Sequence, residues 1–338
     1  MRKYLLPLII CTLCLAALLL FCSRLVMPKY ATESREGNLV AEYYRAADAD
    51  ERHDVIFFGD CEAYSSFAPP ILYEKYGISS FVRASPAQTA AQSYYLICET
   101  LEYEKPQAIV LSVYSLCRTD IQREAYNRMT LDGMRMSPQK LLAIKDCAGD
   151  DESFISYIFP LLRFHSRIYT LSGEDFEYLF TRPHVSHNGS FLEKGVCAAE
   201  GEFNTDTPYT PLPTQNLEYL RKITAVCQEN GVELILVKTP ISSWRYPWSD
   251  EWDKEISDYA AKNGIAYYNL IKESEKIGID MTTDTYDGGF HLNVYGAEKT
   301  TIYFGEILSK SYGIIGTENE IWEKKIEEYY RERNDEIQ

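Results

Sequence analysis

Val55-Ile56-Phe57-Phe58-Gly59-Asp60-Cys61 joins four apolar residues to a glycine, an acid and a thiol. A short apolar run bounded by a turn signal has the form of a strand buried on both faces. Gly59 permits a tight turn there. Helical spacing follows from about Phe67 to Tyr76, with Gly77 as its stop. The same alternation then continues outward. Ser80-Phe81-Val82 reads as a short strand, Ala87 to Tyr103 as a helix ended by Lys105-Pro106, and Ala108 to Val113 as a buried strand. Leu217 to Glu229 is a helix closed by Asn230-Gly231, and Val232 to Val237 is a strand. Asp250 to Lys262 is a helix closed by Asn263-Gly264, Ile265 to Tyr268 a strand, and Val294 to Leu308 the last core helix. Strands alternating with helices of this length predict an α/β fold, a parallel sheet with helices on both faces.

The stretch from about 118 to 213 breaks the rhythm. It is rich in Arg, Tyr, Phe, His, Ser and Gly, carries no strong strand, and has helical stretches at 137–146 and 151–170. It reads as a mostly helical insertion between two sheet strands, forming a cap beside the carboxyl ends of the strands, where open α/β sheets bind ligands. At the amino end, Tyr4 to Cys22 is uncharged and long enough to cross a bilayer as a helix. Arg2 and Lys3 precede it, as a cytoplasmic N-terminus requires. Leu19-Leu20-Phe21 is bulky where a signal peptidase needs small residues, so residues 1–28 are expected to stay as a single-pass anchor with the domain outside the cytoplasm. A cleaved signal peptide is the competing expectation for the same run. Residues 29–52 read as a polar stalk with helical character around Val40 to Ala47, 53–312 as the domain, and 313–338 as a charged, solvated C-terminal helix.

The formal net charge of −16 over 338 residues argues against nucleic acid, which demands a basic face. Of nine cysteines, Cys11, Cys14 and Cys22 lie in the apolar run. Cys98, Cys117, Cys147, Cys197 and Cys227 read as buried free thiols. With no close CxxC beyond the anchor, the spacing supports neither a zinc nor a thioredoxin site, and no metal or cofactor is expected. The soluble thiols also keep open a domain on the reducing side of the membrane. The 27 tyrosines are expected to sit half-buried with wet hydroxyls.

Two stretches could carry chemistry. Cys61 stands where a strand turns into a helix, a position that exposes a nucleophile above the sheet beside backbone N–H groups. His291, in Asp287-Gly288-Gly289-Phe290-His291-Leu292-Asn293, precedes the last helix, with Asp287 close enough to orient its ring as a base toward Cys61. Trp244 lies in a loop at the carboxyl end of the 232–237 strand and suits stacking on sugar rings or packing a cap. Arg163 and His165 in the insertion suit an anionic or sugar-rich substrate.

Together these blocks resemble the SGNH/GDSL hydrolases. Gly59-Asp60-Cys61 is similar to their Gly-Asp-Ser block, and Asp287 to Gly296 to their final Asp-x-x-His-x-x-x-x-Gly block. With the N-terminal anchor, the chain is most similar to the membrane-anchored branch that includes the DltD-like and AlgX/AlgJ-like proteins. The resemblance spans 55–115 and 215–310 and implies a flavodoxin-like sheet. It also implies an esterase or O-acyltransferase with Cys61 in place of the nucleophilic serine, and a cell-envelope polysaccharide or teichoic-acid-like polymer as substrate. A membrane acyltransferase would be its partner. Backbone groups at Gly59, Asp60 and near Ser85 would hold the oxyanion, with Ser112 where the family has asparagine. Asp287 stands four residues before His291 rather than three, with Gly288 in the family's acid position, so a one-residue bulge is needed. The missing asparagine and displaced acid equally fit an inactive scaffold subunit on the same fold.

Overall fold

The computed structural model describes residues 2–28, 39–118, 123–181, 184–199, 210–241, 248–316 and 319–335. Five strands form one sheet: β1 (Val55–Gly59), β2 (Ser80–Ala84), β3 (Ala108–Ser112), β4 (Glu233–Lys238) and β5 (Ala266–Asn269). Their order is β2-β1-β3-β4-β5 and every pairing is parallel. This is the flavodoxin-like order, whose topological switch lies between β1 and β3.

The side-chain alternation of β1 divides the core. Val55 and Phe57 pack with Phe67, Leu72, Phe304 and Leu308 on one face. Ile56 and Phe58 pack with Tyr43, Leu96, Ile97, Leu220 and Ile256 on the other. With both faces covered, the central strands β1 and β3 are apolar at nearly every position, as expected for a parallel sheet.

Two boundaries differ from the sequence reading. The expected stalk includes a helix, Leu39–Asp48, with Leu39, Val40, Tyr43, Tyr44 and Ala46 buried, so this part belongs to the core. The cause is Arg83 on β2, which is fully buried. Its guanidinium donates to Leu96 O at 2.9 Å, Thr100 Oγ1 at 2.7 Å and Tyr44 Oη at 3.1 Å, and pairs with Glu99. A buried cation requires such partners, and Tyr44 reaches it only if the Leu39–Asp48 helix docks on the domain. The C-terminal helix, Glu320–Asn334, is charged but not free in solvent. It packs on the Pro69–Tyr76 helix and buries Trp322 and Tyr329.

Several tyrosines donate to carboxylates rather than to water. Tyr43 reaches Glu104 at 2.7 Å, Tyr44 reaches Glu99 at 2.6 Å and Tyr267 reaches Asp253 at 2.7 Å. This matches 27 tyrosines to a chain of 50 acids. All cysteines are free; Cys117 and Cys227 are buried as expected, whereas Cys197 is exposed. Among the described residues one helix, Tyr4–Val26, is long and apolar enough to cross a membrane.

Candidate active site

At the end of β1 the chain must turn sharply against β3. Gly59 takes φ +151°, and a Cβ there would lie 2.7 Å from Ser112 Cβ, so only glycine lets the turn pass this close. Asp60 then caps the Cys61–Ser66 helix, its Oδ1 accepting the Glu62 N–H at 3.2 Å. Cys61 is the first residue of that helix and is partly exposed.

The thiol of Cys61 lies close enough to the His291 ring for each group to shift the other's proton affinity. His291 Nδ1 lies 2.6 Å from Asp287 Oδ2, which leaves Nε2 for the sulfur. Asp287 does bridge the extra residue. Gly288 and Gly289 take φ +78° and +98°, curling the loop so that Asp287 Oδ1 accepts the N–H groups of Phe290 at 3.1 Å and His291 at 2.9 Å. Non-glycine residues rarely adopt this backbone. The His291 ring also lies against Tyr286, with centroids 5.7 Å apart and planes at 14°. Asp284, the other acid nearby, is committed to Lys299 at 2.6 Å and to the Asp280 N–H at 2.8 Å.

The electrostatics favour protons on this pair. Burial and the neighbouring Asp60 carboxylate push the Cys61 thiol up. Asp60 is itself raised to about 6, by burial and then by repulsion from Glu62. For His291, burial works against protonation, but Cys61 and Asp287 outweigh it and hold the imidazole above its ordinary value. Asp60→Asn keeps a good helix cap while removing the charge beside the sulfur. It is expected to lower the thiol pKa, making iodoacetamide alkylation of Cys61 at neutral pH up to about tenfold faster. An unchanged rate would show that Asp60 does not hold the thiol protonated.

Beside the thiol lies a charged cluster that the sequence reading did not single out. Lys238 Nζ donates to Glu62 Oε2 at 2.6 Å, and Thr239 Oγ1 donates to the same oxygen at 2.7 Å, all three residues being buried. A signal existed: Lys238 follows Leu234 to Val237, a charge at the end of a buried strand. Arg118 approaches Asp60 Oδ2 at 3.9 Å. Asp60 Oδ2, Ser112 Oγ and Ser115 Oγ are buried and accept no hydrogen bond among the described residues.

Ser112 thus adjoins the Gly59–Cys61 turn, at the carboxyl end of β3. Ser85 follows β2, but its hydroxyl is bound to Gln88 Oε1 at 3.0 Å and to Thr130 Oγ1 at 2.6 Å. Arg163 and His165 belong to a different neighbourhood. Arg163 pairs with Glu124 at 2.7 Å, His165 is exposed, and the Leu161–Phe164 helix packs on the apolar N-terminal helix. Trp244 lies outside the described residues.

The insertion accordingly has two parts. Its first half covers the Ala90–Tyr103 helix and the end of the N-terminal helix. Its last part returns to the site: Phe191 N–H donates to Tyr64 O at 3.2 Å, Cys197 N–H to Thr285 O at 2.9 Å, and Gly195 O accepts from Asn293 Nδ2 at 3.0 Å. Among the described residues no group of three or more His, Cys, Asp or Glu could hold a metal ion.

No protein-family model and no curated protein matches this chain. Among solved structures, a crystal structure of a candidate acylhydrolase from Bacteroides fragilis is similar at 10% identity, with a TM-score of 0.40, covering 80% of this chain and 97% of that one.

Proposed function

We propose that this chain is a membrane-anchored acyl hydrolase or acyltransferase that acts on acyl esters of the cell envelope through Cys61 and His291. The observation that carries the proposal is the grouping of Cys61, His291 and Asp287 at the carboxyl end of β1, with His291 Nδ1 on Asp287 Oδ2 at 2.6 Å and the thiol and ring near enough to shift each other's proton affinity. A thiol, a base and a carboxylate that orients the base form the minimal apparatus for covalent acyl transfer.

In the proposed reaction the Cys61 sulfur attacks the ester carbonyl, and its proton passes to His291 Nε2. Asp287 fixes the tautomer and stabilises the imidazolium. Backbone N–H groups at Cys61 and near Ser85 hold the oxyanion. As the C–O bond breaks, His291 returns the proton to the leaving alkoxide, giving an alcohol and a Cys61 thioester. His291 then deprotonates water or an acceptor hydroxyl, which attacks the thioester; as the C–S bond breaks, His291 returns that proton to the Cys61 sulfur and acid or a new ester leaves. The Tyr4–Val26 helix would hold the domain outside the cytoplasm, within reach of an envelope polysaccharide or teichoic-acid-like polymer and of a membrane acyltransferase partner.

The pH dependence follows from the proton affinities. Attack requires the Cys61–His291 pair to lose the first of its two protons, a property of the pair rather than of either residue. Both members are raised, so that loss falls above the ordinary imidazole value of 6.5. The acylation rate is expected to climb through neutrality into the alkaline range. A maximum below pH 6.5 would contradict the assignment.

A second reading, an inactive binding subunit, draws support from the raised Cys61 thiol and from Ser112 standing where the hydrolases carry asparagine. Incubating the full chain with an O-acetylated envelope polysaccharide separates the two. Acetate release by the wild type that is lost in Cys61→Ala supports the enzyme. Polymer binding without release, unchanged in Cys61→Ala, supports the scaffold.

A further inference from the structure

Residues 154–180 expose an unusual row of large apolar side chains. Phe154, Phe159, Leu162, Ile168, Tyr169 and Phe180 are all exposed, Tyr169 to 90% and Phe180 to 85%. Scattered surface apolar residues are ordinary, but a cluster of this size marks an interaction surface. Most of this stretch departs from the chain in charge, with Glu174, Asp175 and Glu177 confined to its far end. No acid occurs from Ser153 to Gly173, where Arg163, His165 and Arg167 lie, in a protein whose net charge is −16.

This segment is fastened to the end of the apolar N-terminal helix. The Leu161–Phe164 helix, the His165–Tyr169 turn and the Gly173–Glu177 helix all pack on it. Arg167 Nη1 donates to the carbonyls of Val26 at 3.1 Å and Met27 at 2.5 Å, and Nη2 pairs with Asp175 at 3.2 Å. Those carbonyls are the ones the helix end leaves without intrahelical partners. The row of apolar side chains therefore sits at the level where the Tyr4–Val26 helix ends.

We propose that residues 154–180 form an interfacial collar that lies in the headgroup layer of a phospholipid bilayer, around the exit of the Tyr4–Val26 helix. This rests on the anchor reading of that helix. Continuity with the apolar helix sets the depth. Short helices with aromatic and aliphatic residues on one face and cations among them suit that layer. Phe and Tyr rings would enter the acyl boundary, while Arg167 fastens the segment to the end of the anchor helix. The collar would fix the domain's tilt on the membrane, rather than leave it hanging from a flexible tether.

Photo-crosslinking tests this with the full chain reconstituted in phospholipid vesicles. Benzoylphenylalanine is incorporated in place of Phe159, Phe180, Leu13 or Ile315, one position at a time, and the irradiated protein is weighed intact. Leu13 reports the anchor, and Ile315 is an exposed apolar residue outside the collar. The expected result is a one-phospholipid mass gain at Phe159, Phe180 and Leu13, and none at Ile315. A gain at Leu13 with none at Phe159 and Phe180 overturns the collar and leaves the anchor standing. No gain at any of the three overturns both. Protein adducts instead of lipid adducts at Phe159 and Phe180 in native membranes would also overturn it, giving the face to a membrane-protein partner.

Discussion

His291→Ala is expected to slow acylation of Cys61 by about 10²- to 10⁴-fold, the range that a positioned general base contributes. The thiol of Cys61 is raised by burial and by Asp60, so it does not ionise unaided near neutral pH. Without the ring, the sulfur must lose its proton to bulk water through a partly closed site. The loss should be in the acylation rate rather than in binding, because the ring contacts the sulfur and Asp287. Added imidazole should restore part of the rate if the cavity left by the ring admits it. Asp287→Asn should fall in the same direction with the fold intact, since an amide cannot stabilise the imidazolium as a carboxylate does. Stopped-flow acylation with an activated ester measures both. Equal rates in wild type and His291→Ala would remove His291 from the chemistry.

The second large effect concerns stability. Arg83→Met should destabilise the domain by about 3–5 kcal/mol, the cost of leaving a buried charge without its partner. Glu99 would be the orphan, buried and held otherwise by Tyr44 and by Ser137 Oγ at 3.1 Å. The double variant Arg83→Met with Glu99→Leu removes both charges and should recover most of the loss, because apolar residues of similar volume often replace a buried pair at little cost. Chemical denaturation of the three variants gives the coupling. Additive losses would mean that Arg83 acts by packing on Tyr43, whose ring centroid lies 4.2 Å from the guanidinium, rather than by charge.

The sheet was legible because β1, β3 and the middle of β4 are apolar runs and several of its helices end at glycines or asparagine-glycine pairs. Cys61 and His291 were legible because each stands at the junction of a strand or loop with a helix. The rest was hidden for identifiable reasons. Helical character around Val40 to Ala47 was legible but its docking was not, because the group that holds it to the core, Arg83, is far along the chain and itself looks like a loop residue. The displaced acid looked mismatched until Gly288 and Gly289 were seen to curl the loop. Lys238 and Glu62 became a pair only once β4 lay near the nucleophile turn. Arg163 and His165 are polar residues in an insertion, and sequence alone cannot tell which half of an insertion approaches the site.

Formation of a covalent acyl-enzyme at Cys61 is the central claim, and intact-mass spectrometry of the protein with p-nitrophenyl acetate tests it most directly. One acetyl group should appear on the wild type, vanish in Cys61→Ala and accumulate more slowly in His291→Ala. No adduct on the wild type, or the same adduct on Cys61→Ala, would contradict a thiol nucleophile at the end of β1.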